Sequence, residues 1–130
     1  MTKYNILYIE DNAFNRTLMQ RLLGLAGYEV HLAETGQEGL TRAAELVPDL
    51  LLIDMHLPDV SGYEVIERLS QVPEIRDIPR VIFSAERVQP QHALPAGPNF
   101  FIQKAEGVPT LIEKIKYLIE HPGNRDQFEL

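Results

Sequence analysis

Short apolar runs alternate with longer segments of helical period along this chain. Five runs rich in aliphatic and aromatic residues predict β-strands, at residues 4–9, 28–33, 50–53, 81–83 and 100–102. The runs at 50–53 and 81–83 are apolar on both faces, as in central strands of a sheet covered on each side. Strands that alternate with helices predict an α/β fold with a doubly wound, five-stranded parallel sheet.

The segments between these runs predict amphipathic helices. The first helix is predicted by four apolar residues at helical spacing: Phe14, Leu18, Leu22 and Leu25. Gly27 predicts the end of this helix. Thr35 and Glu38 resemble a capping box at the start of the second helix, and Pro48 closes it. A third helix carries Val65, Leu69 and Val72 before Pro73, and the last carries Leu111, Ile115, Leu118 and Ile119.

A fourth helix is expected across 86–99, but three prolines and Gly97 fall within that stretch. Proline inside a helix removes a hydrogen bond and costs about 3 kcal/mol. We therefore expect a shortened or irregular fourth helix of one or two turns.

The 130 residues are enough for one domain, which we expect to span 1–121, with a polar tail at 122–130 and no output domain. The chain has no cysteine, which excludes disulfides and thiolate metal sites, and it shows no signal peptide or membrane-length apolar run. We expect a cytoplasmic location. The formal net charge of −7 argues against nucleic acid or an anionic membrane as partner.

Four predicted strands end in a polar or ionisable group. Glu10 and Asp11 follow the first strand, Asp54 the third, Ser84 the fourth and Lys104 the fifth. Ligands of open α/β sheets bind beyond the carboxyl ends of the strands, so we expect these groups to share one site. Three carboxylates repel one another unless a cation lies between them, and Mg²⁺ prefers such oxygen ligands. With a hydroxyl and an ammonium group, this site would suit phosphoryl transfer to Asp54.

At these positions the sequence resembles the receiver domains of two-component response regulators, particularly single-domain phosphorelay regulators. The resemblance extends from Tyr4 to about Glu120 and implies the flavodoxin-like strand order 2-1-3-4-5. It is carried by four segments in order: Tyr8-Ile9-Glu10-Asp11-Asn12, Leu52-Ile53-Asp54-Met55-His56-Leu57-Pro58-Asp59-Val60-Ser61-Gly62, Phe83-Ser84-Ala85 and Phe101-Ile102-Gln103-Lys104.

The resemblance implies that Asp54 accepts a phosphoryl group from a phosphohistidine on a sensor histidine kinase or a histidine phosphotransfer protein. Mg²⁺ would be bound by Asp11, Asp54 and the backbone carbonyl of His56, and by Glu10 through a water. Such a module is not an enzyme, and it assists only its own phosphorylation and dephosphorylation. Phosphorylation would shift its conformation and its affinity for a downstream protein target, with the chain a monomer or weak dimer.

Ser84 and Lys104 would contact the phosphoryl oxygens, and Ser84 and Phe101 would form the switch. An aromatic residue in a strand is more often a core residue than a switch, and sequence alone does not separate the two roles of Phe101. The family usually has proline after its lysine, often with a cis bond, whereas this chain has Ala105. We expect a trans bond there and a shifted loop.

Two other functions stay open at this stage. The acidic pocket could belong to a phosphorylation-independent adaptor whose altered loop and missing helix prevent switching. It could also belong to a Mg²⁺-dependent hydrolase with an aspartyl intermediate, although such phosphatases usually carry a second aspartate two residues after the nucleophile, where this chain has His56.

Overall fold

The computed structural model describes residues 3–85 and 97–121. In chain order the elements are β1 (Asn5–Ile9), α1 (Ala13–Leu25), β2 (Glu29–Ala33), α2 (Gly36–Leu46), β3 (Leu50–Asp54), α3 (Gly62–Leu69), β4 (Arg80–Ser84), β5 (Asn99–Gln103), a 3-10 turn (Lys104–Glu106) and α4 (Val108–Glu120). The expected fourth helix falls mainly on 86–96, outside the described residues. Within them, no helix is long and apolar enough to cross a membrane.

The five strands form one parallel sheet in the order β2-β1-β3-β4-β5, which confirms the predicted fold and strand order. Every residue of β3 and β4 is buried, as their two-sided apolar pattern predicts. One core layer joins the sheet to α1 and α4, and the other joins it to α2 and α3. This double covering leaves the carboxyl ends of the strands along a single edge.

The four apolar residues that predict α1 do not form its buried face. Met19 and Leu23 are buried, whereas Phe14 is 73% exposed, Leu25 is 79% exposed, and Leu18 is also exposed. The helix is rotated because its first turns carry Asn15 and Arg16 toward the end of β1, where both side chains make hydrogen bonds. Residues four apart share a helix face, so Asn15, Met19 and Leu23 turn inward together.

The remaining helices follow their sequence signals more closely. The Thr35 hydroxyl accepts a hydrogen bond from the Glu38 amide at 3.0 Å, and α2 ends before Pro48. Helix α3 ends at Leu69, earlier than Pro73 predicts. Beyond Ser70 the chain tightens into turns, because the amides of Gln71 and Val72 bond the carbonyls three residues back instead of four. In α4 the predicted apolar stripe is the buried face.

Candidate functional site

The carboxyl ends of β1 and β3 bring three carboxylates together. The register aligns Ile9 with Ile53, so Glu10 and Asp54 occupy neighbouring positions at the sheet edge. Glu10, Asp11 and Asp54 each offer an oxygen, and these oxygens lie within 4.8 Å of one another. Glu10 is 1% exposed and Asp54 is 9% exposed, while Asp11 is open to solvent. The predicted acidic cluster therefore exists and is reachable from one side.

The ends of β4 and β5 add polar groups to the same edge. The Nζ atom of Lys104 lies 3.7 Å from Oδ1 of Asp54 and 5.8 Å from the centre of the Phe83 ring. Ser84 is the last residue of β4 and is buried. The register pairs Asp54 with Phe83, so Ser84 stands one position further along the neighbouring strand. All four strand ends thus contribute to one edge, as the sequence predicts.

Burial and neighbouring negative charge raise the pKa of Asp54 to about 6. Desolvation is the largest cause, followed by the charge of Glu10; the Lys104 ammonium opposes both, and a hydrogen bond with Glu10 and the charge of Asp11 add smaller effects. The lysine therefore offsets only part of the repulsion. A small cation bound by these oxygens would remove the rest, and hard oxygen donors are the ligands that Mg²⁺ prefers. The donor set fits magnesium.

Glu10 is held in place by three hydrogen-bond donors. The Tyr8 hydroxyl and the Asn15 side-chain amide donate to Oε1 at 3.1 and 3.2 Å, and the Asn12 main-chain amide donates to Oε2 at 3.3 Å. Burial is the main reason that the pKa of Tyr8 is raised, and the charge of Glu10 adds to it. A buried carboxylate needs such partners, because an unpaired buried charge is strongly unfavourable.

The loop from β3 to α3 is fixed at its base. The Gly62 amide donates to the Met55 carbonyl at 2.8 Å, and His56 and Ser61 form an antiparallel bridge. A Cβ atom on Gly62 would lie 2.9 Å from the Asp54 carbonyl oxygen, closer than real Cβ atoms approach backbone. Glycine is therefore required by the close approach of α3 to the end of β3.

Hydrogen bonds join the tip of the same loop to the N-terminus of α2. Asp59 accepts hydrogen bonds from the amides of Gly36 and Gln37 at 2.8 and 2.9 Å. These backbone bonds hold the pKa of Asp59 below its ordinary value. Asp59 and Thr35 together satisfy the first three amides of α2. The sequence offers no local signal for this cap, because Asp59 is 23 positions from Gly36.

Phe101 lies within β5, and Lys104 directly follows the end of this strand. Phe101 is buried and belongs to the core layer under α2 and α3. The structure thus places it in the core, and its switch role stays a prediction. The Lys104–Ala105 bond is trans, like every other peptide bond of the described segments, and the lysine starts the 3-10 turn that leads to α4.

Arg16 is the functional-site neighbour that sequence reasoning missed. Its Nη1 donates to the carbonyl oxygens of Glu10 and Asp11 at 3.0 and 2.7 Å, and its Nη2 pairs with Glu34 Oε1 at 2.8 Å. The signal that could have found it is spacing: Asn15 and Arg16 lie about one helical turn beyond the acidic pair, shortly after the N-cap residue Asn12.

The chain combines an acidic pocket at the carboxyl ends of the strands with a doubly wound parallel sheet of the order β2-β1-β3-β4-β5. A family model of the response regulator receiver domain matches residues 6–116, and the chain belongs to that family. The polar-differentiation response regulator DivK of Brucella ovis is 37% identical over 118 residues, which cover 89% of this chain and 95% of DivK.

Solved structures agree with this membership. A CheY-like response regulator receiver domain protein from Methanospirillum hungatei is 26% identical and superposes with a TM-score of 0.83, covering 93% of this chain and 97% of that one. The receiver domain of the sensor histidine kinase PA1611 from Pseudomonas aeruginosa, which has a magnesium ion in its active site cleft, is 23% identical. It shares the fold, with a TM-score of 0.80 over 92% of this chain and 99% of its own.

Proposed function

We propose that Asp54 is the phosphorylated residue of this receiver domain. The observation that carries the proposal is its setting: Asp54 ends the central strand, two other carboxylates lie within 4.8 Å, and the Lys104 ammonium lies 3.7 Å away. Isolated solvent-facing aspartates have no such surroundings. The raised pKa of Asp54 supports the same role, since perturbed pKa values cluster at functional sites.

The reaction follows from the groups around Asp54. One carboxylate oxygen attacks the phosphorus of a phosphohistidine, an O–P bond forms, and the P–N bond breaks as the imidazole of the donor departs. Lys104 stabilises the negative charge on the transferring phosphoryl oxygens, and Ser84 donates its hydroxyl to one of them. The protein supplies placement and charge to this reaction. We propose that it assists only its own phosphorylation and dephosphorylation and acts on no separate substrate.

We propose Mg²⁺ as the cofactor, bound by Asp11, Asp54 and the His56 backbone carbonyl, and by Glu10 through a water. When bound, the ion neutralises the carboxylates and the phosphoryl oxygens that meet at this edge. The gathered carboxylate oxygens and the magnesium in the PA1611 receiver domain support this assignment. The side chain of His56 is exposed, which suits a role through its main chain.

We propose a sensor histidine kinase or a histidine phosphotransfer protein as phosphodonor and a downstream protein as target. Family membership supports both. The outward apolar face of α1 also supports a protein partner, because Phe14 is highly exposed in the first turn of the helix, shortly beyond Asp11. Leu18, one helical turn further along, is also exposed and extends this surface, and contiguous exposed apolar surface is typical of protein contacts. Phosphorylation would then shift affinity through Ser84 and Phe101.

Mass spectrometry after incubation with acetyl phosphate and Mg²⁺ tests the proposal. We expect one added phosphoryl group in the wild-type protein and none in Asp54→Asn. Asp49→Asn is the matched control, because Asp49 immediately precedes β3, at the opposite edge of the sheet, where it accepts a hydrogen bond from the Asn5 amide. It should be phosphorylated like the wild type. Absence of the adduct with partner binding intact would instead indicate a phosphorylation-independent adaptor.

A further inference from the structure

We propose that Arg16 is a positioning residue of the cation site, an inference that rests on the proposed function. Its guanidinium holds the main-chain carbonyls of Glu10 and Asp11, the two consecutive residues that supply carboxylates from the end of β1. In this role Arg16 touches neither the cation nor the phosphoryl group. It sets the direction in which the side chains of Glu10 and Asp11 extend from the backbone.

The contacts of Arg16 are specific to the turn after β1. The Glu10 amide still bonds the Ala33 carbonyl at 2.9 Å, as the last rung of the ladder to β2. Beyond that point the chain leaves the sheet, and Nη1 of Arg16 donates to the carbonyls of Glu10 and Asp11 at 3.0 and 2.7 Å. One nitrogen that binds two successive carbonyls fixes two adjacent peptide planes. The Cα–Cβ directions of both acidic residues are fixed with them.

The charge of Arg16 is compatible with a cation site because it is paired elsewhere. Nη2 forms an ion pair with Glu34 Oε1 at 2.8 Å, on the β2–α2 connection. Arg16 therefore bonds main-chain oxygens on the site side and a carboxylate on the outer side. The carboxylates of Glu10, Asp11 and Asp54 remain gathered for a metal ion.

The planar guanidinium is needed for this arrangement. Arginine presents several donors in a rigid fork, whereas lysine offers one compact ammonium group on a flexible stem. A lysine at position 16 could reach one partner, but it could not hold both carbonyls and Glu34 in the same geometry. Groups that orient metal ligands without touching the metal typically contribute 10–100-fold to metal affinity.

Direct measurement of Mg²⁺ affinity by calorimetric titration, without any phosphodonor, tests the proposal. We expect Arg16→Met to weaken Mg²⁺ binding by about 10–100-fold and Arg16→Lys to weaken it by a smaller factor. Glu34→Gln leaves both carbonyl bonds but removes the carboxylate that neutralises the guanidinium, so it should weaken Mg²⁺ binding by about fivefold or less, clearly less than Arg16→Met does. Arg21→Met, an exposed residue of the same helix, is the control and should bind Mg²⁺ like the wild type.

Hydrogen exchange in metal-free protein gives a second readout. The Asn12 amide, which donates to Glu10 Oε2, should exchange faster in Arg16→Met and in Arg16→Lys than in the wild type. Because both arginine variants are measured, a folding defect in one leaves the other as the test.

The outcomes separate the two proposals. Unchanged Mg²⁺ affinity in both arginine variants would overturn the positioning role, and so would equal losses in Arg16→Met and Glu34→Gln, which would indicate an ion pair alone. Failure of the wild-type protein to bind Mg²⁺ would overturn the proposed metal site itself.

Discussion

The Nζ atom of Lys104 lies 3.7 Å from Oδ1 of Asp54, and this pair joins the ends of two strands that are not neighbours in the sheet. The lysine lowers the pKa of Asp54, but burial and Glu10 outweigh it and leave the pKa at about 6. Lys104→Met removes the charge and keeps most of the length of the side chain. We expect the pKa of Asp54 to rise further, as measured by NMR titration of its carboxyl carbon without metal. An unchanged pKa would show that the two groups are not coupled.

The raised pKa of Asp54 also predicts how stability depends on pH in metal-free protein. Between pH 3.8 and about 6 the folded state keeps a proton that the unfolded state has lost, so the free energy of unfolding falls as pH rises through this window. Asp54→Asn removes the loss of stability that comes from ionising Asp54 in the folded protein. We expect it to stabilise the protein by on the order of 2 kcal/mol at pH 7.5 in urea unfolding with EDTA present. The gain should disappear below pH 4, and an equal gain at both pH values would contradict the explanation.

Gly62 supplies a packing prediction next to the site. Alanine there would bring a Cβ atom 2.9 Å from the Asp54 carbonyl oxygen and 3.1 Å from the Met55 Cα atom. Because both contacts are backbone, the loop must move, and we expect a loss of about 1–3 kcal/mol of stability in urea unfolding.

Gly24→Ala is the matched control, since Gly24 lies in α1 and an added Cβ atom there would meet no packed neighbour within 4 Å among the described residues. Alanine there should raise stability by about 0.5–1 kcal/mol, because it favours the helix more than glycine does. Similar effects of the two substitutions would show that Gly62 has no special packing requirement.

The cap that Asp59 provides for α2 predicts a second effect of pH, opposite in sign to that of Asp54. The pKa of Asp59 is lowered by the amides of Gln37 and Gly36, so its contribution to stability is complete above pH 3.8 and is lost as pH falls through the lowered pKa. Asp59→Ala should cost about 1 kcal/mol at neutral pH, as for other helix N-caps. Thermal unfolding at pH 7 and at pH 2.5 measures the stability lost in Asp59→Ala. Glu67→Ala, on the exposed surface of α3, is the control for removing an acidic side chain that caps no helix. A loss of equal size at both pH values would count against the charged cap.

Most of the fold could be predicted from the sequence because its signals are local. The apolar runs of β3 and β4 lie between helices that have their own caps and stops, and parallel strands place their carboxyl ends on one edge. The candidate site follows from the same logic, since Glu10, Asp54 and Lys104 each stand at or directly beyond the end of a strand.

The missed features depend on contacts between distant segments or on the rotation of a helix. The apolar residues of α1 lie on more than one face, so periodicity identifies the helix but indicates the wrong inward face. The polar contacts of Asn15 and Arg16 at the end of β1 leave Phe14 outward. The cap that Asp59 places on Gly36 joins segments 23 residues apart, so no local pattern reveals it.

The most direct test of the central claim is to locate the phosphoryl group. After reaction with acetyl phosphate and Mg²⁺, borohydride reduction converts an aspartyl phosphate to homoserine, and peptide mass spectrometry then identifies the modified position. We predict homoserine at position 54 alone. Modification at Asp11 or Asp59 instead, or an unmodified chain under conditions where Mg²⁺ binds, would contradict the assignment of Asp54 as the phosphoryl acceptor.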